Sequence, residues 1–290
     1  MREAARGRFG NDSSFLIGIN GSYARREATT GSDVDFFFLA ANADASLLKD
    51  EQAVFREIVK ADLNMELPAS NGIFETPLPT DEICEIGGPG DNNETLTRRM
   101  LLLLEGEWVF NESAFHDVRD SLLKRYLYDR LGEDKICMFL LNDIIRYWRT
   151  ICIDLEYKAY AENKVRETRL IKLRFSRMLL YASGVLAIGQ GHGLSYEAKL
   201  ESLRSLFQRY PINRIRSVVG DGAAPVLDLY AEFLEALDTP SIRDSLDSEG
   251  PDGQHFVDMS KKAGQFRDRL RCLLQGHFTG DNPTIRALLL

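Results

Sequence analysis

From about residue 117 onward the apolar residues recur at helical spacing almost without interruption, and before that point they do not. This change of period divides the chain. KICMFLLNDIIRYWRTICIDLEYKAY (135–160) reads as one long helix, 163–188 as a second, and 196–209, 222–237 and 254–275 as further ones. Pro211, the Gly220-Asp221-Gly222 turn and residues 247–253 punctuate them. Each segment offers one apolar stripe that a neighbouring helix must cover, so this part of the chain is expected to close into an all-α domain.

Ahead of that point the apolar runs are shorter and more continuous. FLIGI (15–19) ends at Asn20-Gly21, the pattern of a buried strand feeding a turn. Residues 22–28 fit a short helix, Thr29-Thr30-Gly31-Ser32 a loop, and Val34 to Leu39 a second strand. Residues 45–60 read as an amphipathic helix. The Pro- and Gly-rich stretch 67–91 reads as loops, with at most a short strand near Ile73 to Thr76. Asp91 and Glu94 fit a capping-box start for a helix running to Gly106. The expected fold class is therefore α/β (α+β) over residues 1–115, followed by a helical domain over 116–290, with the boundary between 112 and 133.

The chain has 290 residues, 44% of them hydrophobic, which is enough for a substantial core. Its formal net charge of -8 opposes a role as a general nucleic-acid coater, because that task needs a basic field to replace phosphate counterions. Cys84, Cys137, Cys152 and Cys272 are scattered, with no CxxC pair and no clustered histidine, so they read as reduced thiols. MREAARGRFGNDSS has no apolar core of a signal peptide, and runs such as MLLLL (100–104) are too short to span a bilayer. A soluble cytoplasmic protein without membrane partners is expected.

Within the first part, GSYARREATTGSDVDFFFL (21–39) carries the chemistry. Asp33 and Asp35 lie at i and i+2, and on a strand such residues share a face. Two carboxylates held a few ångströms apart repel unless one is protonated or a cation sits between them. A hard divalent cation, Mg²⁺ or Mn²⁺, answers that repulsion, since it takes carboxylate oxygens and keeps several waters. Such a cation commonly accompanies a phosphate-bearing substrate. Gly21 lets the backbone approach a phosphate, and Ser22 stands at a helix N-terminus where anions are favoured. Arg25 and Arg26 follow in the same turn, within reach of the same phosphate charge, and Arg25 is expected to contact the nucleotide.

Gly-Ser, a gap of about ten residues, and Asp-x-Asp on an apolar strand resemble the nucleotidyltransferase superfamily related to DNA polymerase β. The wording is closest to stand-alone bacterial nucleotidyltransferase domains. It is also similar to the uridylyltransferase domain that modifies nitrogen-signalling proteins. The resemblance implies a small mixed sheet with flanking helices. It implies that Gly21 and Ser22 hold the triphosphate of an NTP, with ATP the favoured donor, and that Asp33 and Asp35 bind metal. A third carboxylate on a neighbouring strand would complete the site and help activate the attacking hydroxyl. Asp62, Glu66 and Glu75 are candidates, and Ile73-Phe74-Glu75 has the better strand character. The implied reaction is transfer of an NMP group to an acceptor hydroxyl with release of pyrophosphate. The acidic balance favours a protein or small-molecule acceptor over a long RNA. A catalytically inactive nucleotide-binding regulator, or a toxin–antitoxin or antiphage module, is the alternative.

In RETRLIKLRFSRMLL (166–180), Arg166, Arg169 and Arg177 fall near one line of a helix with Lys172 beside them, opposite Ile171, Phe175, Met178 and Leu179. A solvated basic face and a surface closing over a nucleotide are equally compatible with this pattern. On the second reading Arg169 and Lys172 contact the nucleotide.

Overall fold

The computed structural model describes residues 1–41, 45–67, 76–128, 131–161 and 166–288. They form two compact units, Met1–Tyr126 and Leu127–Leu290.

In the first unit, α1 (Arg2–Phe9) leads to β1 (Phe15–Ile19), the short helix α2 (Gly21–Arg25) and β2 (Phe36–Ala40). Next comes α3 (Lys49–Glu57), extended by one π turn at Ile58–Asp62. β3 (Leu78–Pro79), α4 (Thr80–Cys84), α5 (Asn93–Leu104), β4 (Glu107–Phe110) and α6 (Glu112–Leu127) follow. Among the described residues the sheet runs β3-β2-β1-β4. β1 is antiparallel to both β2 and β4, and β2 is parallel to β3, so the sheet is mixed.

Every residue of β1 and β2 is buried, which is why both strands read as unbroken apolar runs. Phe15, Ile17 and Ile19 pack with Phe36 and Phe38 against Phe55, Ile58 and Val59 on one face. The Phe36 and Phe55 rings meet edge to face at 5.0 Å. On the other face Leu16, Phe37 and Leu39 are buried as well, and Phe37 approaches Phe115 of α6. Gly18 is required there, because a Cβ on it would lie 2.2 Å from Cζ of Phe37.

One local expectation changes. The cap of α5 is Asn92, whose side chain accepts from the N–H groups of Glu94 and Thr95. Asp91 instead pairs with the fully buried Arg99 at 2.8 Å. The first unit runs to Tyr126 and takes in nearly all of α6. Tyr126 Oη accepts from Arg99 Nε at 2.7 Å, Arg125 donates to the Cys84 carbonyl and Arg119 to the Leu103 carbonyl. These bonds tie α6 to the sheet unit, although its period matches the helices beyond it.

The second unit is helical throughout its described residues: α7 (Met138–Tyr160), α8 (Glu167–Lys172), a π turn at Leu173–Arg177, α9 (Met178–Gly189), α10 (Tyr196–Phe207), α11 (Pro211–Val219), α12 (Ala224–Asp238), α13 (Pro240–Ser248), α14 (Gln254–His277) and α15 (Thr284–Ala287). Phe175 stacks on Phe233 with ring centres 4.6 Å apart. Buried Lys199 spends its ammonium on the carbonyls of Gly132, Glu133 and Leu194. Buried Arg214 binds the Leu206 carbonyl and Ser183 Oγ. All four cysteines are free, and burial pushes the Cys137 thiol up to about 12, where it is inert. No described helix is long and apolar enough to cross a membrane.

The tight contact at Gly18 yields a stability prediction. Gly18→Ala should cost about 1–3 kcal/mol, read as a lower denaturant midpoint, because the buried Phe37 ring has no room to retreat.

Candidate functional site

The β1–β2 register continues one step beyond the strands. Ile19 stands opposite Phe36, and Asn20 N–H donates to the Asp35 carbonyl at 2.8 Å. On the other side of β2, Val34 N–H donates to the Glu66 carbonyl at 2.9 Å, and Asp33 forms a parallel bridge with Glu66. The acidic pair therefore sits on an extended segment held from both flanks.

Alternation assigns the faces. Val34 is fully buried in the aromatic core with Phe36 and Phe38, so Asp33 and Asp35 point to the opposite face. Asp33 is exposed and Asp35 half-buried. Met65 and Leu67 pack on the same core as Val34, which turns the exposed Glu66 to the side of Asp33. Asp62, by contrast, lies in the π turn after α3, 3.9 Å from Arg8. Glu75 lies outside the described residues. Of the two third-carboxylate candidates among the described residues, Asp62 and Glu66, backbone pairing brings Glu66 beside the acidic pair.

Gly21 has a φ of 71°, and a Cβ there would lie 2.6 Å from Oδ2 of Asp35. Only glycine permits this approach of turn to carboxylate. Its N–H donates to Glu105 Oε1 at 3.1 Å. Glu105 caps the C-terminus of α5, and its Oε2 receives Arg25 Nη1 at 2.5 Å. Arg25 Nε binds Glu27 Oε2 at 2.7 Å. The three side chains are 8%, 1% and 0% exposed for Arg25, Glu27 and Glu105. Arg25, expected at a phosphate, is thus committed to a buried cluster that anchors the turn. Ser22 is half-buried, and Arg26 is exposed in the left-handed region with a contact to Glu107 at 3.2 Å.

The remaining basic residues divide in the same way. Arg98 is buried and paired with Glu94, and Arg99 is pinned inside the unit. Arg169 and Lys172 belong to the second unit, where both are exposed on α8, while Arg166 of the same stripe pairs with Glu156. Arg146 pairs with Asp143, and His192 lies in the turn after α9.

The donor set at the sheet edge is all hard oxygen, which fits Mg²⁺ or Mn²⁺ held by one or two carboxylates with water completing the shell. Among the described residues no group of three or more His, Cys, Asp or Glu side chains stands close enough to hold a metal on its own. Asp33 and Asp35 are the residues that would hold the cation, with Glu66 at the flank. Sequence reasoning missed Glu105, since nothing in its local sequence sets it apart from a helix-terminal surface acid.

Removing one partner from a buried charge cluster strands the others. Glu105→Ala should cost the first unit about 3–5 kcal/mol, with Arg25→Ala strongly non-additive to it in a double-mutant cycle. Urea unfolding of the two single variants and the double variant measures both quantities.

No family model matches the chain, and no curated protein matches its sequence.

Proposed function

We propose that the chain is a nucleotidyltransferase dependent on Mg²⁺ or Mn²⁺ that moves an NMP group from an NTP to an acceptor hydroxyl and releases pyrophosphate. The observation that carries this reading is the shared face of Asp33 and Asp35 where β2 begins, with Glu66 bridged to Asp33 and Gly21 packed against Asp35. The specific fold proposed for the first unit is the nucleotidyltransferase type, which its mixed sheet supports.

In this reading Asp33 and Asp35 hold the cation. The cation supplies Lewis-acid activation and neutralises triphosphate charge. Gly21 keeps the turn close to Asp35, and Ser22 Oγ donates to a phosphate oxygen. Glu66, exposed and beside Asp33, accepts the proton of the attacking hydroxyl at a carboxylate oxygen. Glu66 takes the role for which Glu75 is the sequence-based choice. Glu105, Arg25 and Glu27 hold the turn and take no part in the transfer. ATP is the donor to test first. The acceptor is proposed to be a protein or small molecule, given the net charge of -8. A cytoplasmic location accords with four free cysteines.

One observation favours a second reading. Because no three-acid group is closed among the described residues, a nucleotide-binding regulator without turnover also fits.

Pyrophosphate release from each of the four NTPs, with the protein itself and cell lysate offered as acceptors, separates the two. Metal-dependent release should fall to background in Asp33→Asn/Asp35→Asn. Glu66→Gln should retain NTP binding and lower the rate by roughly 10²–10⁴-fold, while Glu75→Gln leaves it within a few-fold. A wild type that binds NTP but releases no pyrophosphate with any acceptor supports the regulator.

A further inference from the structure

Asn20 is 2% exposed, and neither its Oδ1 nor its Nδ2 has a hydrogen-bond partner among the described residues. A buried amide in that condition lowers stability, so its presence calls for a reason. Asn20 occupies the N-cap position of α2, where asparagine is a preferred cap, yet its side chain makes no capping bond. Its carboxamide therefore does nothing for the helix.

The strand register says what it faces. Asn20 continues the alternation of Leu16 and Gly18 and stands directly opposite Asp35, to whose carbonyl its own N–H donates. Facing residues in an antiparallel pair project to the same side of the sheet. The Asp35 carboxylate also lies against Gly21, the next residue in the chain.

We propose that Asn20 is a positioning residue for Asp35. When cation and nucleotide draw Asp35 into its binding orientation, Asn20 Nδ2 donates to the carboxylate oxygen turned away from the cation. This fixes the rotamer of Asp35 and stabilises its charged form. Asn20 is closed to solvent, so it acts through Asp35 and touches no ligand itself. The inference rests on the nucleotidyltransferase reading of the acidic pair, and it adds a residue that the motif does not contain.

The test uses the full chain, Mn²⁺ with ATP as the probe, electron paramagnetic resonance of free Mn²⁺ to measure binding, and metal-free urea unfolding to measure stability. Asn20→Leu, close in size and without the amide, should leave the metal-free midpoint unchanged or raised. It should weaken Mn²⁺ binding by roughly tenfold to a hundredfold, the value of a hydrogen bond to a charged group. Asn20→Asp adds a further carboxylate to this face. It should lower the metal-free midpoint and show a larger Mn²⁺-induced rise in midpoint than wild type. Wild-type Mn²⁺ affinity in Asn20→Leu overturns the proposal, as does a lowered metal-free midpoint in that variant, which makes the amide structural. Should Asn20→Leu fail to fold, a Mn²⁺-induced rise in Asn20→Asp equal to that of wild type overturns it instead. If Asp33→Asn/Asp35→Asn loses Mn²⁺ while Asn20→Leu keeps it, only the role of Asn20 falls. If wild type binds no Mn²⁺, the reading of the acidic pair falls and this inference with it.

Discussion

The antiparallel pairing of β1 with β2 is the constraint on which the candidate site depends. It matches Phe15 with Ala40 and Ile19 with Phe36, and one step further it sets Asn20 against Asp35. A slip of one residue would move every side chain of one strand to the other face. The acidic pair would then point into the aromatic core and Val34 and Phe36 out of it. The register is secured because both faces are packed: Phe15, Phe36, Phe38 and Phe55 interlock on one side, and Phe37 fills the space over Gly18 on the other. The same packing that stabilises the sheet thus decides where two carboxylates stand.

Around that sheet, an acidic protein uses buried cations as clamps. Arg25 ties α2 to the end of α5 through Glu105, and Arg99 ties the loop before α5 to α6 through Asp91 and Tyr126. In the second unit Lys199 and Arg214 each gather several backbone carbonyls. Guanidinium and ammonium groups suit this work because one side chain satisfies several acceptors at once. Their burial also explains why counting basic residues in the sequence overstates the basic surface. Arg25, expected at a phosphate, is buried, and so are Arg98 and Arg99.

Some of this was legible from residues alone. The apolar runs located β1 and β2, and helical periodicity located the long helices of the second unit, because burial of one stripe or of a whole strand leaves its mark on neighbouring positions in the chain. β4 was not legible: Glu-Trp-Val-Phe is short and follows a helix directly, and it becomes a strand only by pairing with β1. The end of the first unit could be placed from the sequence only between 112 and 133, because an amphipathic helix looks the same whichever body covers its apolar side.

The sequence by itself determined the local chemistry: a glycine at the turn, a serine after it, and two aspartates sharing one face by the twofold period of an extended chain. Only the tertiary structure decided which distant groups meet them. Glu66 reaches Asp33 through parallel pairing, Glu105 reaches Gly21 from the end of α5, and Asn20 stands across from Asp35 with its amide buried. The physical reason is that face and period are properties of a few bonded neighbours, whereas the partner of a carboxylate or an amide is set by strand order and register. Those follow from how the whole unit packs.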